Sequence, residues 1–256
     1  MISEKINADN KTSIIPFITC GYPNVENFIE LLIAIENSGA SVIEIGMPNS
    51  DPLAEGLTIQ YSSNIAIKNG INTNICIEIV KQARLKGLTI PVVLMGYYNN
   101  ILAYDLKMFC RDSNAAGVNG LIVADLPIYE AEPLINETIK NNISYIPLLS
   151  INSPKPIIEK ACKIASGFIY CVSSLGVTGE REITFDRVKN LVNSVKNHTD
   201  TPVAVGFGVS SKSDVNNIGE FADAAIVGSA LINQLKNNRN GNIIKTAESF
   251  ISSLIK

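Results

Sequence analysis

Apolar runs of strand length recur along the chain at 14–19, 42–46, 91–96, 120–125, 144–149, 168–173, 202–208 and 224–228. Between them lie longer stretches in which apolar residues return at helical spacing, including 25–38, 74–86, 105–116, 128–141 and 185–196. In the first of these, Phe28, Leu31, Leu32 and Ile35 form one apolar face. Ser38-Gly39 and Lys86-Gly87 read as helix stops. Pro91 and Pro202 open runs, where a missing N–H is tolerated. The runs are almost wholly apolar, as in strands covered on both faces. Strand–helix alternation implies parallel pairing, so the chain is read as α/β.

Eight strand–helix units in 256 residues predict a single (β/α)8 TIM barrel spanning 1–256 as one domain. A doubly wound open sheet is the competing layout. If it bound a dinucleotide, it would place a glycine-rich turn after its first strand. Thr19-Cys20-Gly21-Tyr22-Pro23 is not that turn.

The apolar fraction of 46% supports a large core, and the net charge of −3 with no basic run argues against a nucleic-acid partner. Cys20, Cys76, Cys110, Cys162 and Cys171 are odd in number and widely spaced. They read as buried, reduced thiols rather than a disulfide framework or zinc site. The one histidine, His198, lies in a polar stretch and reads as a solvated helix end. No metal site is expected. No run is long enough to cross a membrane, and residues 1–11 lack the apolar core of a secretory signal. The absence of a transit-like extension fits the cytoplasm of a bacterium or a plastid stroma.

Against this apolar background Glu44 is the anomaly. It interrupts the second run between Ile43 and Ile45. Side chains alternate along a strand, so if the two isoleucines face the helices, Glu44 faces the barrel axis. A carboxylate there is desolvated, which raises its pKa towards the range useful for proton transfer. The alternative is a structural acid paired with a basic side chain inside the barrel. A second acid, Glu55, follows in the loop after this strand. Barrel active sites lie at the C-terminal ends of the strands, so the two form a candidate acid–base pair. Glycine-bearing turns follow the last three strands: Gly176-Val177-Thr178-Gly179, Gly206-Phe207-Gly208-Val209-Ser210 and Gly228-Ser229-Ala230. Their amides and hydroxyls suit a phosphate. The loop 176–181 is long and polar enough to close over a substrate.

These residues resemble one family over nearly the whole chain, the tryptophan synthase alpha subunits. The matching segments are Pro16-Phe17-Ile18-Thr19 with Gly21-Tyr22-Pro23, the highly specific block 44–60, Val123-Ala124-Asp125-Leu126-Pro127 and the three glycine turns. The resemblance implies a lyase of tryptophan biosynthesis that cleaves indole-3-glycerol phosphate to indole and glyceraldehyde 3-phosphate. It implies no cofactor in this chain, pyridoxal phosphate belonging to a beta subunit that receives the indole within an alpha2-beta2 heterotetramer. It assigns Glu44 as the general acid–base and Glu55 as the acid facing the indole nitrogen. Tyr170 stands near Glu44, Phe17 and Met95 wall the indole, and Gly179, Gly208, Gly228 and Ser229 hold the phosphate. Thr178 closes over the site and contacts Glu55. The beta interface falls on 48–56 and 97–99. Three departures cluster in one loop: Glu55 replaces the family's usual aspartate, Asn49 an aromatic residue and Leu57 a proline. They leave two alternatives, a catalytically weak activating partner of the beta subunit and a stand-alone indole-releasing lyase.

Overall fold

The computed structural model describes residues 1–6, 8, 11–52, 55–172, 185–206, 208–238 and 241–255. Nine strands form one sheet: β1 (Ser13–Thr19), β2 (Ile43–Gly46), β3 (Val92–Gly96), β4 (Gly120–Val123), β5 (Ser144–Tyr145), β6 (Leu148–Ser150), β7 (Ile169–Val172), β8 (Val203–Gly206) and β9 (Ala224–Val227). Their order is β5-β4-β3-β2-β1-β9-β8-β7-β6, and every pairing is parallel.

The two edges of that order, β5 and β6, are halves of one run. The predicted strand 144–149 breaks at Ile146-Pro147, because Pro147 has no N–H to give to a ladder. The break does not open the ring. Ile146 N–H donates to Leu121 O at 3.0 Å on one side, and Tyr170 N–H donates to Pro147 O at 3.0 Å on the other. The fold is therefore an eight-strand barrel with an interrupted fifth strand, the TIM barrel expected from the alternation.

Alternation along each strand sorts the residues into two layers. Ile43 and Ile45 join the larger apolar cluster beneath the surrounding helices. The second cluster fills the barrel itself, with Ile15, Val42, Val93, Ile122, Ile146, Phe168, Ala204, Ala224 and Ile226. Ile2 and Ile6 of the short helix Ile2–Ile6 belong to it too and plug the N-terminal end. A Cβ on Gly120 would come within 2.9 Å of Ile2 Cδ1, which shows how deeply that plug is seated.

The helices form where the spacing predicts, with later starts at two of them. The predicted segment 25–38 begins at Phe28, because Asn24 Oδ1 accepts from Asn27 N–H at 3.0 Å and holds a turn first. The segment 128–141 begins at Glu132, with Pro133 in its first turn. Phe185–Lys196 matches its predicted bounds. Gly39 and Gly87 follow their helices at φ +102° and +100°, the left-handed stop that glycine permits. All five cysteines are buried and free. His198 caps its helix end, with Nδ1 2.7 Å from Ser194 O. Among the described residues no helix is long and apolar enough to cross a membrane.

Candidate active site

Glu44 follows Val42 on the inward line of its segment and is fully buried. Neither of its carboxylate oxygens has a hydrogen-bond partner among the described residues. Among the described residues, no basic side chain pairs with it. Burial without compensation pushes the Glu44 carboxyl up from 4.5 to about 8, so it is neutral at pH 7. Tyr170 lies deep in the barrel on β7. Its hydroxyl is raised well above 10, first by burial and then by the charge of Glu44, which places the two groups in one electrostatic environment.

Small residues make room at the mouth. Phe17 pairs with Glu44 across β1 and β2, and Gly46 pairs with Met95 across β2 and β3. The Phe17 ring lies over Gly46, where a Cβ would sit 2.5 Å from Phe17 Cζ. Its other flank meets Gly228, where a Cβ would be 3.3 Å from Phe17 Cβ. Tyr170 covers Gly206 in the same way. Phe17 thus neighbours Glu44 across the β1–β2 ladder, Met95 lies one inward step further along β3, and Tyr170 shares the electrostatic environment of the acid.

Glu55 stands above β2. The Tyr97 hydroxyl donates to Glu55 Oε2, and Gln60 Nε2 donates to Glu55 O at 2.9 Å. Tyr97 was not among the sequence-derived site residues, only within the interface segment 97–99. A signal existed, since Met95 and Tyr97 share strand parity and both follow the inward line of β3. The backbone beyond it is held by Tyr98 N–H donating to Asp125 Oδ1 at 2.8 Å.

On the opposite rim, Gly208 takes φ +71° after β8. Gly228 is the N-cap of the helix Ser229–Asn237, which Ser229 begins. Its first-turn amides face the C-terminal end of the barrel, a geometry that favours an anion. The neighbouring Ser210 and Ser211 give their N–H and hydroxyl groups to Asp214, at 2.9–3.2 Å. Those hydroxyls are spent on a capping box, which leaves Ser229 as the serine at this rim. Thr178 and Gly179 lie outside the described residues.

A cavity of about 450 Å³ opens at the other end of the barrel, lined by Ile2, Lys5, Thr89, Asn119, Asn142 and Ser144 among others. Asn119 Oδ1 there already accepts from Val92 N–H at 2.9 Å and from Arg84 Nη2 at 2.8 Å. The unpartnered acid is at the opposite mouth, so the chemistry is assigned there. Among the described residues no cluster of three or more His, Cys, Asp or Glu could hold a metal ion.

Comparison with known proteins agrees with the fold. The family model described as tryptophan synthase alpha chain matches residues 3–253. The chain belongs to the tryptophan synthase alpha chain family. It is 38% identical over 251 residues to the tryptophan synthase alpha chain of Chloroflexus aggregans, covering 98% of this chain and 94% of that one. It is 37% identical to the tryptophan synthase of Saccharomyces cerevisiae over 248 residues, 96% of this chain but only 35% of the yeast protein. The crystal structure of subunit alpha from Legionella pneumophila superposes with a TM-score of 0.90 at 30% identity, covering 99% of this chain and 95% of that one. The Mycobacterium tuberculosis tryptophan synthase structure gives 0.90 at 31%, with the same coverage. The alpha reaction of this family is a lyase reaction of tryptophan biosynthesis, cleaving indole-3-glycerol phosphate to indole.

Proposed function

We propose that this chain performs the alpha reaction with Glu44 and Glu55 as its catalytic acids and without a cofactor of its own. The observation that carries the assignment is the Glu44 carboxyl, buried, unpartnered among the described residues and pushed up to about 8.

Breaking the bond between the indole ring and the glycerol phosphate chain is a retro-aldol step. The ring carbon bearing the side chain must gain a proton, so that the ring becomes an electron sink. The adjoining side-chain hydroxyl must lose one. A neutral Glu44 supplies the first proton at pH 7. The carboxylate it leaves behind is desolvated, hence strongly basic, and takes the hydroxyl proton as the carbon–carbon bond breaks. One group thereby serves as acid and then base, and returns to its starting state. Glu55, held by Tyr97, accepts the indole N–H and stabilises the charge that develops on the ring nitrogen. Phe17 and Met95 wall the indole, with Tyr170 beside Glu44. Gly208, Gly228 and Ser229 take the phosphate.

The partner in this reading is a tryptophan synthase beta subunit. Leu57, beside Glu55 in sequence, is 81% exposed, and Leu102, just after the segment 97–99, is 54% exposed; such a partner would dock near them. The deciding experiment measures indole release from indole-3-glycerol phosphate, with and without a beta subunit, for the wild type and Glu44→Gln. Activity that rises with the partner and is lost in the variant supports the proposal. A wild type inactive under both conditions overturns it.

A further inference from the structure

Thr19, the last residue of β1, and Ser62, in the helix Leu57–Lys68, form a hydroxyl pair with Oγ atoms 2.6 Å apart. Both are sealed from solvent, at 1% and 0% exposure. Ser62 Oγ also donates to Ile59 O at 2.8 Å, which commits its single proton. Thr19 is therefore the donor within the pair. The helix so gripped directly follows Glu55. Its N-cap is Gly56, which has no side chain to fix the first turn. That turn is instead tied back to the loop by Gln60, whose N–H donates to Gly56 O at 3.0 Å and whose Nε2 donates to Glu55 O at 2.9 Å.

We propose that the Thr19–Ser62 hydroxyl pair is a latch that positions Glu55. Through Ser62 it pins the second turn of the Leu57–Lys68 helix to the end of β1, and Gln60, two residues earlier, passes that placement to the acid. Tyr97 fixes the carboxylate from the side of β3, so Glu55 is located by two barrel strands rather than by its own loop. Thr19 and Ser62 are positioning residues; neither touches the reacting atoms. The inference rests on the role of Glu55 given above.

The test is a double-mutant cycle in the complex with a beta subunit, reading kcat and KM for indole release, together with amide hydrogen exchange over residues 57–62. Thr19→Val removes the donor at nearly constant shape, and Thr19→Ser keeps it. Thr19→Val is expected to lower kcat roughly tenfold with little change in KM and to speed exchange in that turn. Thr19→Ser restores both. In a Glu55→Gln background Thr19→Val is expected to cause no further loss. An equal loss in both backgrounds, or unchanged exchange, overturns the latch, because a general weakening of the barrel would multiply with Glu55→Gln. If Thr19→Val does not fold, Ser62→Ala, which leaves β1 intact, carries the same cycle. A Glu55→Gln single variant as active as the wild type would instead overturn the role of Glu55, a failure distinct from that of the latch.

Discussion

The Tyr170 ring occupies the space where a side chain on Gly206 would stand, and a Cβ there would come within 2.7 Å of Tyr170 Cζ. Two neighbouring strands thus fit because one has no side chain at this level. The displaced ring would be the one beside Glu44. Gly206→Ala is therefore expected to lower kcat/KM by roughly tenfold to a hundredfold through misplacement of Tyr170. The overpacking itself costs about 1–3 kcal/mol of stability. Steady-state kinetics alongside a thermal melt check this, and an unchanged kcat/KM would show that Tyr170 need not be held where it is.

The pH dependence follows from the same acid. Glu44 must start protonated to deliver its proton, and burial pushes it up to about 8. Below that pH the free enzyme carries the competent form; above it, the carboxylate. A descending limb in kcat/KM centred near pH 8 is expected for the wild type. Glu44→Gln, which can neither give nor take the proton, should lose activity by a factor of about a thousand or more at every pH. Activity holding constant up to pH 10 would remove Glu44 from the proton-donating role.

Stability shifts in the opposite sense to activity in that variant. Unfolding releases Glu44 into water, where it ionises at 4.5; in the fold it holds its proton to about 8. Between those values the folded state binds more protons than the unfolded one, so stability falls as pH rises, and levels off above about 8. Glu44→Gln abolishes this term. At pH 7 the variant should be more stable by roughly 3 kcal/mol, from 1.36 kcal/mol per pKa unit. The gain should vanish below pH 4.5. Denaturant melts at pH 4, 7 and 8.5 test it, and a gain independent of pH would trace the effect to packing instead.

What could be read in advance depended on contrast along the chain. Glu44 stood out because it breaks a run of isoleucines, and strand alternation alone aims it inward. The barrel was legible because each strand is covered on both faces. The split of the fifth strand turns on Pro147, whose effect depends on which neighbour would have received its N–H. Tyr97 reaches Glu55 across 42 positions, and Thr19 meets Ser62 across 43, so neither contact leaves a local pattern. Threonine ending a strand and serine within a helix are ordinary residues in ordinary places. Only the packing of the Leu57–Lys68 helix against β1 makes them a pair. Gly208, Gly228 and Ser229 were singled out because glycine recurs after consecutive strands, and their phosphate role is part of the proposal.

In the proposed mechanism, Glu55 sets how strong a catalyst this chain is. The resemblance implies an aspartate at this position, and the structure shows where the longer glutamate leads: its carboxylate reaches the Tyr97 hydroxyl, a buried group on the next strand's end. If the site is built around that reach, shortening the side chain withdraws the carboxylate from Tyr97 and from the indole nitrogen together. Glu55→Asp should then lower kcat by roughly tenfold to a hundredfold, since a displacement of about an ångström suffices for that. Tyr97→Phe should act in the same direction, more weakly, and add little to Glu55→Asp because both remove the same hydrogen bond. The contrary result is equally informative. A rise in kcat for Glu55→Asp, measured with and without a beta subunit, would mean that the longer acid is misplaced for the chemistry. The chain would then act first as an activating partner of the beta subunit and only secondarily as a lyase.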